Sequence, residues 1–312
     1  MGELFAPIFN LASPYDSPSA HRILVNQVME ACQTGGMFEV QNHGVSNVVL
    51  ANAMTSAKEF FELPEEELRP LTGILNSKCM LYTSSYAHAL GMAEPPLYWR
   101  DALQLNLNTE IIADGWPTLP QSFRPNVLEF ATSVELLEKR LLRIISEGLG
   151  LHENYFDGGL CRAPHIIVDT YPKCREPTRA IGMPMHCDPG VLTISLLGDV
   201  LGTQIYQNGE WFRVVPDMNS LLVTVGHQLQ VISNGAFKAP IHRETVNSDR
   251  VRTTISRVSE PAGDYVVGPA TELITTTNPP KYKSFKYEEY LEHHVLDYKN
   301  TCSILERYYM SS

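Results

Sequence analysis

Paired cysteines, basic charge and long apolar runs are all scarce in this sequence. Its six cysteines, at positions 32, 79, 161, 174, 187 and 302, form no CxxC pair. They are too few and too scattered to staple a chain of 312 residues. That pattern excludes a disulfide-scaffold domain and reads as free thiols in a reducing cytosol, so a cytoplasmic location is expected. Lys and Arg number 24 against 35 Asp and Glu, a net charge of −11. With no basic surplus to meet a phosphate backbone, nucleic acid is not expected as a partner. The acidity suits a neutral or cationic small-molecule substrate. No apolar run is long enough to span a bilayer, and Met1 to Ala6 lacks a charged region followed by an apolar core. Neither a membrane partner nor a signal peptide is therefore expected. Ala6 stands where N-myristoylation needs Ser or Thr. Repeats, low-complexity tracts and long charge blocks are missing too. What remains, 44% hydrophobic and 19% charged, is an ordinary globular composition, taken as a monomer.

The chain divides by pattern into a helix-rich region over 1–150, a strand-rich core over 151–280 and a helical segment over 281–312, within one compact unit. In the first region, Pro7 to Leu11 reads as a short strand. Leu24, Val25, Val28, Met29 and Cys32 then fall on one helical face ended by Gly35-Gly36. Met37 to Val40 reads as a strand, Asn42-His43-Gly44 as a turn, and Val48 to Phe61 as a second helix. From Leu71 to Leu103 the pattern breaks down. Tyr82, Tyr86, His88, Glu94, Tyr98 and Trp99 sit there among Gly91 and Pro95-Pro96, as in a pocket lid or an ordinary packed loop. Ser122 to Leu149 carries the clearest amphipathic helix, with Glu129, Glu138, Lys139 and Arg143 assigned to its polar face.

Beyond Leu151 short strands alternate with turns. They are expected over 165–171, 191–197, 203–206, 211–215, 220–225, 228–232, 241–246 and 253–259. Gln207-Asn208-Gly209-Glu210 is a hairpin signal, because Asn-Gly tolerates the positive φ of a type I′ turn. The resulting fold class is mostly β with added helices: a double-stranded β-helix, or cupin-like jelly roll, flanked by N-terminal and C-terminal helices. Tyr287 to Tyr309 supplies the C-terminal helical pattern.

The chemistry-bearing residues cluster between Met185 and Thr254. His186-Cys187-Asp188 and, further on, His242 provide two imidazoles and one carboxylate. That set holds a metal while leaving three adjacent coordination positions open, as in non-haem Fe(II) oxygenases. A lone His-x-Asp is common, and on ligand chemistry alone a metal site and ordinary polar residues both remain open. Arg252 and Thr254 follow on one strand face, where a guanidinium and a hydroxyl can grip a carboxylate. An exposed salt bridge is the other role for an arginine in this stretch, and Arg250 and Arg257 suit it better.

Taken together, these motifs resemble the plant Fe(II)/2-oxoglutarate-dependent dioxygenases along nearly the whole chain. The resemblance rests on His186-Cys-Asp188 with Leu192-Thr193, Ser233-Asn234-Gly235, His242-Arg243, Val246-Asn247-Ser248 and Arg252-x-Thr254. It extends to Phe38 through Val45, Phe60-Phe61-x-Leu63-Pro64, Tyr98-Trp99-Arg100-Asp101, Glu147 through Leu151 and Tyr171-Pro172. It implies that His186, Asp188 and His242 bind Fe(II). Arg252, Thr254, Tyr171 and Asp169 would surround 2-oxoglutarate, with O2 as oxidant and ascorbate as supporting reductant. The implied reaction is hydroxylation, desaturation, epoxidation or ring closure of a plant specialised metabolite. The Tyr98-Trp99-Arg100-Asp101 stretch resembles the hyoscyamine 6-hydroxylase type of alkaloid oxidases, which makes an alkaloid the expected substrate. A flavonoid, lignan, terpenoid or hormone, or a relative that only binds its ligand, is the alternative. Tyr82, Tyr86, Glu94, Tyr98, Trp99 and Phe237 are the candidate substrate contacts, aromatic rings and a carboxylate being suited to an amine cation. Two positions depart from the family pattern. Asp169 stands where Asn is frequent, and His227 stands where Asp is usual and is read as structural.

Overall fold

The computed structural model describes residues 2–12, 17–71, 79–83, 97–107, 115–217, 219–296 and 301–310. The main strands are β1 Gly2–Leu4, β2 Ile8–Asn10, β3 Met37–Gln41, β4 Cys79–Thr83, β5 Leu97–Tyr98, β6 Asp101–Asn106, β7 His165–Tyr171, β8 Ala180–Ile181, β9 Met183–His186, β10 Leu192–Leu196, β11 Thr203–Gln207, β12 Glu210–Val214, β13 Leu221–Val225, β14 His242–Glu244 and β15 Arg252–Ser259. The helices used below are α1 Pro18–Thr34, α2 Asn47–Phe61, α3 Phe123–Leu149, α4 His227–Ile232 and α5 Tyr287–Leu296.

Two sheets face each other. The larger has the order β2-β3-β13-β10-β15-β7-β6-β4, and the smaller has the order β1-β12-β11-β14-β9. This is the expected double-sheet jelly roll with helical additions, its sheets left open rather than closed into a barrel. Alternation along β15 sorts its side chains between two environments. Arg252, Thr254, Ser256 and Val258 line an internal cavity, whereas Ile255 joins the main hydrophobic core with residues of α1, α2 and α3. α3 follows from its sequence: Val127, Phe130, Val134, Leu137, Leu141, Ile144 and Ile145 are buried, and Gly150 ends the helix at φ 71°.

Where residues are locally periodic, the sequence expectation matches. β7 spans the expected residues, and Asn208 (φ 51°) and Gly209 (φ 85°) form the two-residue turn between β11 and β12. Three readings need correction. Residues 228–232 are helical in α4, not a strand. His227, Gln228, Leu229, Val231 and Ile232 are all buried, so no polar face existed to reveal the helical period. The irregular reading of 71–103 missed β4, whose pairing with β6 adds the final strand of the larger sheet. Glu138 and Arg257 are not surface charges. They form a buried ion pair, Nε to Oε2 2.9 Å, linking α3 to β15. Arg250, in contrast, pairs with Asp199 at the surface, as expected.

Candidate metal and co-substrate site

Strand register assembles the site. His186 ends β9 and lies directly opposite His242, the first residue of β14. Asp188 follows in the turn leading to β10. That turn is held by α4, whose first amides donate to it: His227 N to the Asp188 carbonyl at 2.8 Å and Gln228 N to the Gly190 carbonyl at 2.9 Å. Helix starts carry free N–H groups, so α4 satisfies its own orphans while fixing the turn. The approach depends on glycine: a Cβ on Gly226 would lie 2.1 Å from the Gly190 carbonyl oxygen.

One donor atom from each of His186, Asp188 and His242 lies within 4.8 Å of the others. The two Nε2 atoms are 3.7 and 3.5 Å from Asp188 Oδ1. Each Nδ1 is engaged elsewhere, His186 with the Pro184 carbonyl at 2.8 Å and His242 with the Pro240 carbonyl at 3.0 Å. With Nδ1 protonated and donating, Nε2 carries the lone pair toward the cluster, the tautomer a metal ligand needs. Burial, followed by the neighbouring His242, pushes His186 well below the ordinary histidine range. The donor set therefore fits a divalent iron.

On the facing sheet, Arg252 lies opposite Tyr171 and Thr254 opposite Asp169. Arg252 is 1% exposed and donates from all three nitrogens: Nε to the Val200 carbonyl at 3.0 Å, Nη1 to Glu244 at 2.5 Å and Nη2 to the Thr203 hydroxyl at 2.8 Å. Its guanidinium also lies 5.0 Å from the Tyr171 ring centroid. Asp169, the carboxylate that would repel a keto acid, is paired with Arg100 at 3.5 Å. Burial pushes Asp169 up and Arg100 opposes it. All these residues surround a cavity of about 90 Å³, room for a compact acid rather than for a larger metabolite. Thr193, in the same wall, has a buried hydroxyl without a partner.

The remaining expected residues scatter. Phe237 is fully buried in the main hydrophobic core and is corrected from substrate contact to core residue. Trp99 packs on Tyr171, Cys174 and Val246 and donates from Nε1 to the Pro172 carbonyl at 3.1 Å. Tyr82 and Tyr98 are exposed. Tyr86 and Glu94 lie outside the described residues. His227 bonds Tyr290 through Nδ1 at 2.7 Å and stands outside the metal cluster, as its structural reading requires. Arg100 and Glu244 were not singled out from sequence. The signal for Glu244 was present, since a strand alternates and Glu244 shares the inward face of His242.

A jelly roll that gathers two imidazoles and one carboxylate between its sheets has the architecture of a non-haem iron oxygenase. Comparison with known proteins narrows this. Residues 154–261 match the family model of the 2OG-Fe(II) oxygenase superfamily, and residues 6–126 match the non-haem dioxygenase in morphine synthesis N-terminal model. Flavanone 3-dioxygenase 2 of Oryza sativa subsp. japonica is 36% identical over 91% of this chain and 82% of its own length. Hyoscyamine 6-dioxygenase of Hyoscyamus niger is 32% identical over 93% of this chain and 87% of its own. The crystal structure of JOX2 in complex with 2OG, Fe and JA superposes with a TM-score of 0.84 at 27% identity, covering 99% of this chain and 90% of that one. The chain belongs to the 2OG-Fe(II) oxygenase superfamily and is a plant-type, Fe(II)- and 2-oxoglutarate-dependent dioxygenase.

Proposed function

We propose that this protein hydroxylates an aliphatic carbon of a plant alkaloid, with His186, Asp188 and His242 holding Fe(II) and Arg252, Thr254 and Tyr171 lining the 2-oxoglutarate site. The observation that carries the metal assignment is the convergence of three donor atoms within 4.8 Å, with both Nδ1 atoms engaged. Iron and the keto acid supply the oxidising chemistry when bound, the keto acid being converted with O2 to succinate and CO2 while one oxygen atom goes to the substrate. The chain's residues bind, orient and exclude water. Arg252 and Thr254 grip the distal carboxylate of the keto acid. Asp169 acts through Arg100, which it holds beside Tyr171. Because the cavity is small, the alkaloid sits outside it, and the exposed rings of Tyr82 and Tyr98 are of the kind that suits an amine cation.

The alkaloid reading is supported by the hyoscyamine 6-dioxygenase relative, which aligns over 93% of this chain. The same chemistry on a flavonoid is the second reading, favoured by the flavanone 3-dioxygenase relative at 36% identity. The test incubates the protein with Fe(II), ascorbate, 2-oxoglutarate and both compound classes, recording succinate and product mass together. Succinate that rises only with an alkaloid, with a product heavier by one oxygen, is the expected result. A product lighter by two hydrogens would mean desaturation or ring closure, and a response to flavanones alone would replace the alkaloid.

A further inference from the structure

The anion grip of Arg252 is already in use. Glu244 Oε2 accepts from Arg252 Nη1 at 2.5 Å and from the Thr203 hydroxyl at 3.0 Å, and that hydroxyl in turn accepts from Arg252 Nη2 at 2.8 Å. The three side chains form a closed ring of hydrogen bonds on the cavity wall. Register enforces it, because Thr203 on β11 lies directly opposite Glu244 on β14. Close packing enforces it again, since a Cβ on Gly202 would lie 2.8–2.9 Å from three atoms of the Arg252 side chain. The guanidinium cannot retreat from its carboxylate without disturbing this wall.

The charges of the cavity tell the same story. Apart from Asp188 of the metal set, Arg100 and Arg252 face Asp169 and Glu244, so the two cations are matched by two carboxylates before any ligand enters. A planar guanidinium has two edges for bidentate carboxylate binding. Here three of the five N–H groups are engaged, Nη1 by one carboxylate and Nε and Nη2 by Val200 and Thr203, so a second carboxylate shares the guanidinium through the other N–H of each Nη or displaces the first.

We propose that Glu244 is an internal competitor for Arg252 and thereby a specificity-determining residue for the co-substrate: the distal carboxylate of 2-oxoglutarate binds only by displacing or sharing the Glu244 carboxylate. This rests on the assignment of Arg252 as the co-substrate anchor. The consequence is a narrowed preference for a 2-oxo diacid over a 2-oxo monoacid. A monoacid such as pyruvate has no distal carboxylate and does not contest the ion pair.

The experiment is an anaerobic calorimetric titration of the Fe(II)-loaded protein with 2-oxoglutarate and, separately, with pyruvate. It compares wild type, Glu244→Gln and Arg252→Ala. Glu244→Gln keeps an acceptor for Arg252 and removes the competing charge. It is expected to tighten 2-oxoglutarate by about tenfold and leave pyruvate unchanged. An unchanged or weaker 2-oxoglutarate affinity overturns the proposal, and so does equal tightening of pyruvate, which would place the effect at the metal. The Arg252→Ala arm separates the two levels: if 2-oxoglutarate affinity survives there, the anchor assignment itself is wrong, whatever Glu244 does. Should Glu244→Gln fail to fold, as judged by circular dichroism, Glu244→Val removes the carboxylate with a residue suited to a strand and is read by the same criteria.

Discussion

At the residue scale, the site is held by groups that each have one task and one fixed partner. The imidazoles of His186 and His242 are oriented by backbone carbonyls of the residues two positions earlier, so neither ring depends on a distant side chain for its tautomer. Asp188 supplies the sole carboxylate of the cluster. Asp188→Ala is therefore expected to lower Fe(II) affinity by more than about a hundredfold, beyond what loss of an outer partner costs, and to abolish succinate formation. Equilibrium dialysis with Fe(II) measures the first, and retained binding would remove Asp188 from the ligand set. Arg252→Ala should weaken 2-oxoglutarate by roughly a hundredfold while leaving Fe(II) affinity intact, checked by titrating both ligands on the same preparation. The candidate ligand residues, which the structure brings together, were legible in the sequence because few residue types can do such chemistry. Arg100 and the buried Glu138–Arg257 pair were not, and strand alternation gave only the face of Glu244, since a charged residue in isolation reads as solvated. Its partner is named only by strand register or helix packing.

At the element scale, α4 does more than its six residues imply. It closes the turn carrying Asp188 and, through His227, reaches Tyr290 of α5. Gly226 is where β13 hands over to α4 against Gly190. An alanine there would force one of two backbones to move, since its Cβ would meet the Gly190 carbonyl at 2.1 Å. Gly226→Ala is expected to cost about 3 kcal/mol, read as a lowered urea midpoint with unchanged slope. Tyr290→Phe removes the His227 bond and leaves a buried ring nitrogen unpaired. It should cost about 1 kcal/mol and speed hydrogen exchange along Tyr287–Leu296 relative to α3. Equal protection in the variant would show that the bond does not tether α5. The strand assigned by sequence to 228–232 became a helix here because burial on all sides erased the periodic signal, while the carbonyls of Asp188 and Gly190 offered partners for a helix start.

At the scale of the whole molecule, the proposed metal and co-substrate residues come from strands of opposite sheets, with His186 and His242 on the smaller and Arg252 and Tyr171 on the larger. Ligands that bind only the folded arrangement stabilise it by mass action. Fe(II) with 2-oxoglutarate at about a hundred times its Kd is expected to add about 2.7 kcal/mol, raising Tm by roughly 5 °C. Thermal melting under anaerobic conditions measures this, a chelator should reverse it, and Asp188→Ala should not show it. Helices packed on one face of the larger sheet leave its other face free to build the cavity with the smaller sheet.

By itself the sequence determined the repertoire: short alternating strands, amphipathic helices, an Asn-Gly hairpin, and the residue types that bind a metal and an acid. These are local properties, expressed in spacing and side-chain chemistry, and they survive without knowledge of the fold. Only the tertiary structure decided which charges meet. The pairing of β11 with β14 sets Glu244 against Thr203, and the facing of the two sheets brings Arg252 of β15 against both. The docking of α3 buries Glu138 against Arg257. Such pairings join residues far apart in the chain, and a shift of one residue in register would turn a strand's whole set of these side chains to the opposite face.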